Sequence, residues 1–193
     1  MQYLTTLGRI FRAWAWDRRA LVSLKEVPLR HAWYSLLLVC ISFSVVSLLL
    51  YLGLVAIGVP FLSGVGWTVV LLRGAGVITV LLLALFLIFG FSRMLGGRGS
   101  LTQWFRMGGS LVFPLVAFSW LSVLPFIGSF FMLVAALYLS VLWMIGSARL
   151  HGHSLFSAFL AMFLSWLVIM AITLVILLVF VIGAMWYGLS RFW

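Results

Sequence analysis

The side chains able to do chemistry are few, and the acids stop early. Asp17 and Glu26 are the only carboxylates in 193 residues, and none follows residue 26. A proton relay, a sodium site or a hydrated-cation site within a membrane is generally built on a carboxylate. General acid–base catalysis needs a carboxylate or a histidine within reach of the substrate. Beyond residue 32 the titratable groups are arginines, tyrosines, Cys40, His151 and His153. Histidines at i and i+2 point about 200° apart on a helix, so His151 and His153 make no helical metal site. No third ligand lies nearby, and the pair reads as a solvated turn. His31, beside Arg30, reads as interfacial. Cys40 is a lone thiol inside an apolar run, permits no intrachain disulfide, and reads as a packing residue. Ser42, Ser44, Ser47, Ser119, Ser122 and Ser140 sit among small neighbours and suit helix packing better than nucleophilic attack. This inventory predicts no enzyme, no cofactor and no metal.

The remaining polar features concern binding. Gly96, Gly97, Arg98, Gly99 and Ser100 form a glycine-rich loop in which successive N–H groups can make an anion-binding nest, with Arg98 adding charge. The loop reads first as a flexible cytoplasmic turn whose arginine fixes topology; the alternative is an anion site, with a lipid phosphate as its ligand. The loop lacks the Gly-Lys-Ser/Thr ending of a Walker A sequence. Residues 4–24 interleave Leu4, Leu7, Ile10, Phe11, Trp14, Leu21 and Leu24 with Arg9, Arg12, Arg18 and Arg19 at helical spacing. That spacing predicts a helix lying in the membrane interface, aromatic face down. Arg9, Arg12, Trp14, Arg18 and Arg19 are therefore candidate lipid or partner contacts, together with the five loop residues.

These features have to be positioned by a bilayer-solvated scaffold. Hydrophobic residues make up 66% of the chain and charged residues 7%, against roughly 25% charged in soluble domains. A span needs about 20 apolar helical residues. The sequence predicts an all-α integral membrane protein with about five spans, near 33–57, 67–91, 104–124, 126–145 and 165–187, after a cytoplasmic basic amphipathic segment, 1–32. No cleavable signal peptide is expected, and the first span serves as the insertion signal. Pro28 ends the amphipathic segment, and Pro114 kinks the third span. Pro125 and Gly128 suit a tight hairpin. The stretch 155–187 is too long for one upright helix, so either a strong tilt or an interfacial piece over 155–164 is expected, with Ser165 and Trp166 marking the headgroup level. Trp33, Tyr34, Trp67, Trp104, Trp143, Trp186 and Tyr187 fall near span ends as an aromatic belt.

Five spans segregate the charge. Arg9, Arg12, Arg18, Arg19, Lys25, Arg30, Arg93, Arg98, Arg106 and Arg149 fall on one side, with Arg73 and Arg191 on the other. Arg73 lies near the start of span two, where it can snorkel to the outer headgroups. Positive charge collects on the cytoplasmic side, so the N-terminus is cytoplasmic and the C-terminus outside. The net charge of +10 then reflects topology and anionic-lipid contact, not nucleic-acid binding.

Several segments in order resemble one family. Residues 95–103 (LGGRGSLTQ) look like a Gly-Gly-Lys-Gly-Ser-Phe-x-Gln motif, with Arg98 and Leu101 as substitutions. Ser110 to Pro114 falls where that family has an aromatic-rich stretch ending in proline. Leu124, Pro125, Ile127 and Gly128 look like its Leu-Pro-x-Ile-Gly hairpin, and residues 138–153 match a tyrosine-bearing span leading into a basic His-Gly turn. The chain thus resembles the Yip family, the membrane domain of Ypt/Rab-interacting proteins, and in particular its short bacterial members. The resemblance implies five spans, a cytoplasmic N-terminus and the bacterial inner membrane. Eukaryotic relatives, which carry a long N-terminal cytoplasmic region, are associated with Rab GTPases and vesicle trafficking. The expected function is a non-catalytic scaffold or adaptor binding anionic lipids and a partner membrane protein or a second copy of itself. The alternative is a transporter or channel for a small or lipidic solute, marked by a polar cavity reaching mid-membrane.

Overall fold

The computed structural model describes residues 2–56, 66–121, 124 and 127–189, and among these every regular element is helical. The order is α1 (Gln2–Trp14), α2 (Arg18–Ser23), a 3₁₀ turn (Leu24–Glu26), α3 (Leu29–Ala56), α4 (Gly66–Met94), α5 (Leu101–Leu111), α6 (Leu115–Leu121), α7 (Ile127–His151) and α8 (Leu155–Leu189). Five segments are long and apolar enough to cross a membrane: Leu29–Leu54, Arg73–Met94, Leu101–Leu121, Phe130–His151 and Leu155–Gly183. The protein is a multi-pass all-α membrane bundle.

The third crossing is the packed centre. Trp104, Met107 and Leu111 of α5 are fully buried beside Leu36 of α3, Leu85 of α4 and Leu142 and Trp143 of α7. Pro114 has no N–H and its ring crowds the carbonyl four residues back. The chain accordingly breaks here instead of bending: the Ser110 carbonyl accepts from Phe113 N–H, and the Leu115 and Val116 N–H groups bond only three residues back, to Val112 and Phe113. The expected kink is a division into α5 and α6.

Two further expectations are corrected, and one left open is decided. Trp104 and Trp143 do not join an aromatic belt. Trp104 donates its indole N–H to the Leu85 carbonyl (2.7 Å) and Trp143 donates to the Gly108 carbonyl (3.1 Å). A carbonyl inside the bundle satisfies an indole N–H as well as a headgroup does, and the ring then fills the core. Trp33, Tyr34 and Trp186 are exposed, as a belt requires; the side chains of Trp67 and Tyr187 lie outside those described. The stretch after 154 is one 35-residue helix, α8, about 52 Å long at 1.5 Å per residue. Of the two arrangements expected, this is the single long helix, with no break to set off a separate piece over 155–164. Ser165 is buried and bonds its own helix at Ala161 O (2.7 Å), so it marks no headgroup level.

The amphipathic segment is likewise rearranged. It is two helices, and the apolar stripe of α1 faces protein, with Thr6, Ile10 and Ala13 buried. The Trp14 indole N–H donates to Leu111 O (2.9 Å) and its ring stacks on Phe118. The Tyr138 hydroxyl donates to the Trp14 carbonyl. The broken third crossing presents an apolar surface that α1 covers, and that burial outcompetes lying face-down in lipid. Leu4, Phe11 and Trp16 stay exposed. Trp16 occupies the left-handed region (φ 65°), where it ends α1: Asp17 N–H bonds Arg12 O and Trp16 N–H bonds Ala13 O. Asp17 then caps α2, accepting from the backbone N–H groups of Arg19 (2.9 Å) and Ala20 (3.1 Å).

Candidate functional site

The candidate residues divide among three places. Arg9 and Arg12 line the exposed side of α1, and Trp14 packs inward. Arg18 and Arg19 open onto a cleft of about 420 Å³ that also receives Ser23, Lys25, Glu26 and Arg149. Four cations thus border one cleft with a single acid. Arg149 sits in the last turn of α7, where the helix macrodipole favours a cation. Arg18 and Arg19 are held by the Asp17 cap at the start of α2. Lys25 and Arg149 were not singled out by sequence reasoning. Arg149 lies 130 residues from Arg19, and only the docking of α2 against α7 joins them.

The glycine loop forms the second place, and its glycines have packing reasons. Gly96 takes φ +90° at the end of α4, where Gly97 N–H bonds Ser92 O (2.9 Å) and Gly96 N–H bonds Arg93 O (3.1 Å). A Cβ on Gly97 would lie 2.8 Å from the His153 ring, and one on Gly99 would lie 2.8 Å from His151 Nδ1. Arg98 N–H bonds the His151 carbonyl (3.2 Å), and the Arg93 guanidinium donates to Gly97 O (3.0 Å). Ser100 caps α5 through Gln103 N–H (3.3 Å). Three of the N–H groups a nest would aim at an anion are therefore already bonded, those of Gly96 and Gly97 to the end of α4 and that of Arg98 to the end of α7. The Arg98 side chain remains exposed.

His151 is the surprise of this joint. It is not in a solvated turn: it ends α7, is 2% exposed, and lies between Phe89, Trp104 and His153 at ring separations of 5.6, 6.2 and 5.5 Å. Neither ring nitrogen has a hydrogen-bond partner. The imidazoles of His151 and His153 stack 21° from parallel. Nitrogen lone pairs lie in the ring planes, so stacked rings do not converge on one ion, and no group of three metal-ligating side chains occurs among the described residues. His31 is also buried, sharing a hydrogen bond with the Thr6 hydroxyl (3.0 Å), because α1 covers it.

The third place lies within the crossings. A cavity of about 470 Å³ opens between α3, α4, α6, α7 and α8, lined by apolar side chains including Val77, Leu81, Met132, Trp143 and Trp166, and by Arg73. The Arg73 guanidinium carbon stands 5.9 Å above the Phe43 ring. Phe43 is the fifteenth of the 28 residues of α3, about 20 Å from either end. Arg73 therefore stands level with the middle of α3, but only about 10 Å from the start of α4, where the second crossing begins. The close α3–α4 approach fixes this level, since a Cβ on Gly74 would overlap Ser44 Oγ and meet Cys40 O at 3.0 Å. An arginine within an apolar helix characteristically faces the bundle interior or a cavity.

No protein family, curated protein or solved structure matches the chain. Function has to be argued from these three places.

Proposed function

We propose that the protein is a non-catalytic membrane scaffold or adaptor, Yip-like, of the bacterial inner membrane, with its basic face cytoplasmic and its C-terminus outside. It holds anionic lipid headgroups there and presents that face to a partner membrane protein or to a second copy. The observation that carries this reading is the cleft in which Arg18, Arg19, Lys25 and Arg149 meet opposite one acid, Glu26. Juxtamembrane cations contribute about 1 kcal/mol each toward an anionic surface, and bringing Arg149 from the end of α7 beside the three of residues 18–25 makes a site of what would be scattered attraction. Ten of the twelve basic residues fall on this side when the five crossings are threaded in order, which supports the orientation. The segment order over 95–153 supports the family likeness. Non-catalytic action rests on the absence of any carboxylate beyond Glu26.

Photo-crosslinkable residues placed in living cells at Arg18, Arg19 and Arg98, whose side chains are exposed, test the adaptor role. A discrete protein adduct at Arg18 or Arg19 is expected, weakened when Arg149 is neutralised. Failure to find any adduct at these positions would remove the partner half of the proposal.

The transporter reading has one observation in its favour, the cavity between the crossings that Arg73 lines. Its lining is apolar with one cation, which is not the continuous polar path that solute conduction requires. The scaffold reading therefore stands first.

A further inference from the structure

The basic cleft holds more positive charge than a single phosphate answers. Arg18, Arg19, Lys25 and Arg149 border it with Glu26 as the one acid, a surplus of three positive charges. Among the described residues, none of these four cationic side chains makes a hydrogen bond or an ion pair, with Glu26 or with any other group. The cations are also spread along the cleft. Ser23 and Leu24 keep right-handed helical backbone, so α2 runs on into the 3₁₀ turn. Arg18 and Lys25 therefore leave the backbone about 10 Å apart at 1.5 Å per residue. On the facing wall, Leu142, Ile145 and Arg149 share one side of α7, at helical spacing. Arg18 lies beside Leu142 and Ile145, and Leu21 approaches Gly146, so α2 and α7 advance together toward Lys25 and Arg149. Arg18 and Arg19 mark one end of the cleft, and Lys25 and Arg149 the other.

A phosphodiester carries one negative charge and answers one such pair, leaving two like charges side by side at the other end. Two phosphates on one linker answer both. The surface next to the cleft favours a lipid over a soluble diphosphate. Ala13, Trp16, Leu21, Leu142 and Ile145 line an apolar notch, and Arg18 borders both notch and cleft. The first carbons of an acyl chain leaving the headgroup have an apolar wall to lie on there.

We propose that this cleft, which rests on its reading above as a lipid site, selects a lipid whose headgroup carries two phosphates, one on Arg18 and Arg19 and the other on Lys25 and Arg149. A guanidinium takes phosphate oxygens in a bidentate fork and the ammonium takes them as a point charge. Basic pockets at the cytoplasmic ends of membrane helices suit such headgroups.

The full chain in a mild neutral detergent is titrated with cardiolipin, phosphatidylglycerol and phosphatidylethanolamine of matched acyl chains, and native mass spectrometry reads the bound fraction of each. One cardiolipin per chain is expected, held at least tenfold tighter than phosphatidylglycerol. Lys25→Gln/Arg149→Gln removes one pair, and the ratio should fall to within about threefold. The charge-preserving Lys25→Arg/Arg149→Lys should keep it. Inorganic pyrophosphate in tenfold excess should displace less than half of the cardiolipin; complete displacement would overturn the lipid source. Equal binding of cardiolipin and phosphatidylglycerol, or a preference unmoved in Lys25→Gln/Arg149→Gln, would overturn the two-phosphate proposal. With both still held tighter than phosphatidylethanolamine, the cleft would remain an anionic-lipid site. Equal binding of all three lipids would remove that underlying reading as well.

Discussion

Gly99→Ala probes the joint between the glycine loop and the α7–α8 turn. The added Cβ would stand 2.8 Å from His151 Nδ1, 3.0 Å from His151 Cε1 and 3.0 Å from Leu150 Cγ. Comfortable heavy-atom separations are about 3.5–4.0 Å, so the imidazole has to give by roughly 0.7 Å. It has nowhere to go, being stacked on His153 and walled by Phe89 and Trp104. Overpacking of a rigid site costs about 1–3 kcal/mol, which for a chain of this size lowers the melting temperature by about 3–9 °C. His151→Ala removes the obstructing ring. In that background the Gly99→Ala penalty should shrink to what the Leu150 contact alone imposes, leaving a coupling of about 1 kcal/mol or more in the double-mutant cycle. Thermal or SDS-titrated unfolding of the purified protein, followed by circular dichroism, reads all four corners. A Gly99→Ala protein within about 0.5 kcal/mol of wild type, or an equal penalty with and without His151, would refute the packed joint and restore an open loop.

Other outcomes follow from the same geometry. Trp104→Phe loses the buried bond to Leu85 O and leaves a void, so it should destabilise by about 1–3 kcal/mol in the same unfolding assay, whereas Trp33→Phe, at an exposed ring, should be nearly neutral. Asp17→Ala removes the acceptor for two α2 N–H groups and should cost about 1 kcal/mol, seen as faster amide exchange over 18–23. Gly96→Ala meets no atoms but demands φ +90°, and should cost about 1–2 kcal/mol with no dependence on His151. That contrast separates backbone strain from steric conflict within one loop.

What the sequence made legible is what sums along the chain. Charge poverty and run length identify five crossings, and Pro114 marks the break in the third because the lost N–H and the carbonyl clash are local facts. What stayed hidden depends on partners far away in sequence. Trp104 next to a polar loop has the same local signature whether its indole meets a headgroup or the Leu85 carbonyl. The apolar stripe of α1 suits lipid and protein equally, and the choice turns on the surface left open by Pro114. Arg149 and Arg18 carry no signal of their meeting. Arg73 was visible as a lone cation in an apolar run, but its depth is set by how α3 and α4 slide on Gly74. The glycines of the loop announced a special backbone, not the histidines that Gly97 and Gly99 accommodate.

The central claim is that the cleft on the basic face holds an anionic lipid. Native mass spectrometry of the full chain released gently from its membrane counts bound phospholipids directly, comparing wild type with Arg18→Gln/Arg19→Gln/Arg149→Gln. Removing three cations at about 1 kcal/mol each should weaken retention of anionic phospholipid about 100-fold at low salt, and raising ionic strength should erode the wild-type signal in the same direction. Equal retention by the two proteins, or wild-type retention of zwitterionic lipid as strong as of anionic lipid, would contradict the account.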